Sequence, residues 1–141
     1  MRLNALFVIA AAGLALAGCN KAEAPAEVQH DVATATAEGQ RDVADARADA
    51  SENMADANKD VADAAADNDP KDVADQSKDA AQTAVKGDYK VVVAQAEAAH
   101  KVATEKCEAL SGSAQKDCKD RADSDLDHAK KQAEQARDGA G

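Results

Sequence analysis

Cys107 and Cys118 are the residues of this chain best placed to do chemistry. They flank Ser111-Gly112-Ser113, and each belongs to a run of small residues at helical spacing. Two thiols brought together make a structural disulfide or a redox pair. The redox reading is the weaker, because the spacing is not Cys-x-x-Cys and an inward sulfur is hidden from its partners. A metal centre would need histidine beside sulfur. His100 precedes Cys107 by seven residues and His128 follows Cys118 by ten. At a rise of about 1.5 Å per residue, both stand roughly 10 Å or more from the sulfurs. They read as surface histidines that could share a loose ion at most, and His30 stands alone. Asp67, Asp69 and Asp72 offer oxygens but lack the Gly and Glu of a calcium loop, so diffuse attraction of cations is the better reading. No metal and no cofactor are expected.

The chain is not expected to be an enzyme. It has no Gly-rich phosphate loop, and its carboxylates fall on polar helix faces where nothing tunes them for proton transfer. Long aliphatic side chains are scarce, and beyond the first eighteen residues the sole aromatic is Tyr89. Alanine supplies most of the apolar fraction, and it buries too little surface to wall a dry cleft.

The elements that must position the cysteines follow from periodicity. Residues 31–74 divide into elevens: DVATATAEGQR, DVADARADASE, NMADANKDVAD and AAADNDPKDVA. Eleven residues close three turns at 3.67 per turn, so the period fits a helix with a nearly straight seam. Val32, Val43 and Met54 then share a face. Like-charge pairs at i,i+4, such as Asp45 with Asp49, oppose that helix, and Gly39 adds a cost of about 1 kcal/mol. The stretch is therefore expected to need a bundle or a partner. Asp69 is predicted to cap a new helix with Pro70 at its first position, and Lys86-Gly87-Asp88 reads as the next turn. From Tyr89 to Arg137 two apolar stripes flank the Ser111-Gly112-Ser113 turn. The first is Val92, Ala96, Ala99, Ala103, Cys107 and Leu110, and the second runs from Ala114 through Cys118 and Ala122 to Ala136. Gly112 suits a left-handed cap and Ser113 an N-cap. The two helices make an antiparallel hairpin in which residue i faces about 225 − i, so Cys107 faces Cys118.

The fold class expected is all-α: extended Ala-rich helices with a C-terminal antiparallel hairpin, the repeats being partly disordered if they find no partner. Charge divides the same elements. Residues 22–75 carry 15 acidic and 4 basic side chains, a net of −11, whereas residues 76–141 are nearly balanced. So acidic a segment repels nucleic acid and anionic lipid heads, and neither is expected as its partner.

The amino terminus says where the chain resides. Arg2 precedes an apolar run from Ala5 to Ala17, too short to span a bilayer and shaped as a secretory signal. The final four residues, Leu16-Ala17-Gly18-Cys19, resemble the lipobox of bacterial lipoproteins. That resemblance implies removal of residues 1–18 and acylation of Cys19. Asn20 stands where Asp would imply retention at the inner membrane, so the resemblance favours a periplasm-facing protein of the outer membrane. Export places Cys107 and Cys118 in an oxidising compartment, which favours the structural disulfide. The expected domains are a tether at 19–27, an acidic helical stalk at 28–86 broken near 68–70, a disulfide-clamped hairpin at 89–137 and a tail at 138–141.

Residues 100–137, with Glu105-Lys106-Cys107, Ala109-Leu110-Ser111-Gly112 and Cys118, resemble the C-terminal region of small Ala-rich envelope proteins of Proteobacteria. The resemblance implies an envelope location and a paired-cysteine hairpin, and brings no activity. The layout is also similar to murein lipoproteins, although the final Asp138-Gly139-Ala140-Gly141 lacks the lysine that joins peptidoglycan in that family. The elevens loosely resemble late-embryogenesis-abundant proteins, which are desiccation protectants. The expected function is a non-catalytic envelope lipoprotein in a structural or interaction role, with the membrane, envelope proteins and copies of itself through Ala/Val seams as partners. The alternatives are a stress protectant and weak cation buffering by the acidic repeats.

Overall fold

The computed structural model describes residues 21–140. Three helices follow one another: α1 (Pro25–Ala66), α2 (Pro70–Cys107) and α3 (Gly112–Gly139). The fold is all-α, as the periodicity predicts. Cys19 and the expected signal segment 1–18 lie outside the described residues.

α1 begins earlier than expected. The tether was to reach residue 27, with Pro25 holding off the helix, but Pro25 is instead the first helical residue, after an extended Ala24. A proline there loses no hydrogen bond, and its ring presets the helical φ. The helix ends where expected. Asn68 takes the left-handed conformation at φ 56°, which asparagine tolerates better than most residues. The Asp69 carboxylate then accepts from the amides of Lys71, at 2.9 Å, and Asp72, at 3.3 Å, with Pro70 at the first position of α2.

The expected turn at Lys86-Gly87-Asp88 does not form, and α2 runs unbroken from Pro70 to Cys107. The division between a stalk ending at 86 and a hairpin beginning at 89 is therefore corrected. Both expected units share α2, with α1 packed on one face and α3 on another. Gly87 has a packing role instead. A Cβ on Gly87 would lie 3.0 Å from the Ala50 Cβ, and a Cβ on Gly39 would lie 2.6 Å from the Ala98 Cβ. Each glycine lets the two backbones approach at one point. Both pairs sum to 137, so residue i of α1 lies opposite 137 − i of α2.

This register explains the elevens. Val28, Gly39, Ala50 and Val61 make one buried or half-buried row, and Val32, Val43 and Met54 make the next. The carboxylates occupy the outer face. Along this seam the acidic helix packs on α2 of the same chain. The pair is an antiparallel coiled coil whose contacts are small side chains at short range. Each contact is worth little, but close-packed backbones accumulate many of them.

α3 is shorter, 28 residues against 38, and covers the C-terminal part of α2. Ala122 and Ala133 are buried along it, and the Arg137 guanidinium lies 4.7 Å from the centre of the Tyr89 ring. The C-terminal end of α3 reaches Gln82 and Val85 of α2, with which Arg137 and Ala140 line a small cavity. Three details depart from expectation. Val92 and Leu110, placed on the inward stripe, are 43% and 39% exposed. Ser111 rather than Ser113 holds the N-cap position of α3, without a side-chain bond, although Gly112 is left-handed at φ 62°. The tail expected from 138 begins later, since α3 continues to Gly139.

Candidate functional site

The residues with chemistry converge at the α2–α3 turn. Cys107 closes α2 and Cys118 lies in the second turn of α3. They form a disulfide across a Cα separation of 5.7 Å, in the register that 225 − i requires. Cys107 is 1% exposed, the most deeply buried side chain described. A thiol reagent reaches it poorly, which suits a brace rather than an exchange centre.

Glu108, next to Cys107, gathers the surrounding polar groups. Its carboxylate accepts from the Gln115 amide at 2.6 Å and pairs with the Lys119 ammonium. The hydrogen bond to Glu108 holds the Lys119 pKa above its ordinary value. The Glu108 backbone carbonyl accepts from the Glu23 amide at 2.9 Å. The segment ahead of α1 is thereby docked on the disulfide turn. The Glu23 carboxyl is pushed up, first by the packing around it and then by the charges of Glu108, Glu27, Asp31 and Glu105. One of its oxygens is covered by protein and has no hydrogen-bond partner. The docking of Glu23 leaves no mark in the sequence, because the contact joins one backbone to another.

The other candidates separate. His100 is not a free surface histidine: its Nε2 lies 2.6 Å from an Asp123 carboxylate oxygen, tying α2 to α3. His30 pairs with its neighbour Asp31, and His128 is exposed. Among the described residues no group of three His, Cys, Asp or Glu side chains is placed to hold a metal. Asp69, one of the acidic trio, has its carboxylate engaged in the cap of α2. Two further ion pairs fix the registers, Lys101 to Asp42 at 2.8 Å and Lys130 to Glu97 at 2.7 Å. Both lysines are held above their ordinary pKa chiefly by the hydrogen bond to the partner carboxylate.

A cavity of about 640 Å³ is an open groove between α1 and α2. Ala35, Gly39, Val43, Ala98 and Val102 line it together with Arg47 and Lys106. Its chemistry is van der Waals contact with two cations at hand. Among the described residues no helix is long and apolar enough to cross a membrane. Comparison with known protein families, with curated protein sequences and with solved structures finds no match to this chain.

Proposed function

We propose that the chain is a non-catalytic envelope lipoprotein, anchored through Cys19, with a structural or protein-interaction role in the periplasm. One observation carries the reading: Leu16-Ala17-Gly18-Cys19 closes a short apolar segment six residues before α1 begins at Pro25. Three acyl chains on Cys19 suffice for stable anchoring, at about 0.8 kcal/mol per buried CH₂. Asn20 favours the outer membrane. The rigid, acidic α1–α2 arm is then the surface offered to envelope proteins, and it suits basic partners. Repeats that order only on drying are less well supported, since α1 interlocks with α2 along a continuous glycine and alanine seam.

Mass spectrometry of the mature amino-terminal peptide tests the anchor, and fractionation of Cys19→Ala tests its role. Acyl mass on Cys19 and release of the variant from membranes are expected. A mature peptide without acyl mass refutes the lipoprotein. Strong helicity of the soluble chain in dilute buffer is expected as well, and a coil that becomes helical on drying would favour the protectant.

A further inference from the structure

The two ends of the helical arm differ in a way that bears on how it stands at a surface. One end is the Asp67-Asn68-Asp69 turn, with Asp63 and Asp72 close by in sequence. The other is the α2–α3 turn. Residues 109–115 there carry no charge, and they form the longest uncharged stretch of the described chain. Leu110, its second residue, is 39% exposed, one of two large aliphatic side chains left so open among the described residues. The Cys107–Cys118 bond holds the turn closed from below.

The tether joins the second end. The Glu23 amide is bonded to the Glu108 carbonyl, and Leu110 follows Glu108 by two residues. Glu23 lies four positions after Cys19, a reach of about 14 Å at most. The polyanionic turn lies at the far end of α2, whose 38 residues extend for about 57 Å.

We infer that the α2–α3 turn is a membrane-contact surface, with Leu110 seated among the lipid headgroups beside the anchor and the Asp67–Asp69 turn held away from the bilayer. The inference rests on the lipoprotein reading and adds an orientation to it. The disulfide-clamped hairpin is not raised from the membrane on an acidic stalk. Its turn sits at the membrane while the acidic repeats rise from it and return. The occupant is a lipid surface because the tether is too short to admit a protein layer and because the turn offers an uncharged, leucine-bearing tip. An interface accepts an apolar side chain lying a few Å deep.

The test uses the full mature protein, its acyl mass first verified, in phosphatidylethanolamine and phosphatidylcholine vesicles. A benzophenone amino acid at position 110 should give lipid adducts on illumination, and the same group at position 68 should give at least tenfold fewer. Hydrogen exchange of the unsubstituted protein gives a second readout. Vesicles should slow amides 109–114 several-fold and leave 66–70 unchanged. Equal labelling at both positions, or protection confined to 66–70, overturns the orientation while the verified acyl mass leaves the lipoprotein standing. A mature protein without acyl mass overturns both.

Discussion

Replacing Gly39 with alanine should destabilise this protein, although alanine is the better helix former. The substitution gains about 1 kcal/mol of helix propensity. Against this, the new Cβ would lie 2.6 Å from the Ala98 Cβ and 3.1 Å from the Ala98 Cα. Carbon atoms prefer about 3.5–4.0 Å, so the helices must separate by about 1 Å. A gap of that size forfeits a quarter to a half of each neighbouring contact, and overpacking of this kind costs about 1–3 kcal/mol. The obstruction is the Ala98 methyl with the backbone behind it, and neither can rotate aside. The net expectation is a loss of up to about 2 kcal/mol, with the melting temperature falling by about 4 °C per kcal/mol. Thermal unfolding followed by far-ultraviolet circular dichroism measures it. Gly139→Ala is the control, since nothing lies within 4 Å of the Cβ it would add. Combining Gly39→Ala with Ala98→Gly moves the methyl to the other helix and should restore much of the loss, a coupling that a double-mutant cycle isolates. If Gly39→Ala raises the melting temperature by the full propensity gain, or if Ala98→Gly shows no coupling to it, the close approach of α1 and α2 is wrong.

Gly87→Ala meets the Ala50 Cβ at 3.0 Å with backbone no nearer than 3.6 Å, so its effect should be the smaller of the two glycine substitutions in the same melting assay. Reduction, or Cys107→Ser with Cys118→Ser, should remove about 3 kcal/mol from a loop of this size, and a non-reduced digest should carry the 107–118 link within one chain. Free thiols or a link between chains would refute the α2–α3 register. Asn68→Val should cost about 1–2 kcal/mol and Asn68→Gly nothing or less, because φ at this position is 56°. Equal melting of the two variants would remove the left-handed turn. Glu23 has a pKa raised above 4.5 in the folded chain, so the fold binds its proton more tightly than the unfolded chain does. Its contribution to stability therefore improves as pH falls through that raised value and worsens above it. Glu23→Gln should melt above the parent near neutral pH, with the difference shrinking toward pH 4.5. A difference that stays constant over the range would mean that Glu23 is not pressed against Glu108, Glu27, Asp31 and Glu105.

Much of the local structure was legible because its causes are local. The stop at Asn68 and the cap at Asp69 with Pro70 act over a few residues, and their chemistry is written in residue types. The Cys107–Cys118 register was legible for a related reason: a short turn between two helical stripes leaves few ways to pair them. The two glycines were misread. Gly87 between Lys86 and Asp88 has the composition of a turn, and Gly39 inside an acidic helix has the look of a defect. Each is a point where another backbone passes, and that backbone lies 37 residues or more away in sequence.

By itself the sequence determined that the chain is helical, that its repeats have an eleven-residue period with a buried row, and that its charge lies on the opposite face. These properties follow from propensity and spacing, which operate within a few turns of one helix. Tertiary structure decided which helix fills the row. It folded the acidic repeats back along α2 rather than leaving them as a stalk. It also placed the tether beside the disulfide turn through a Glu23 amide and a Glu108 carbonyl. Every residue carries those two backbone groups, so residue type alone cannot mark the place where one pair of them meets.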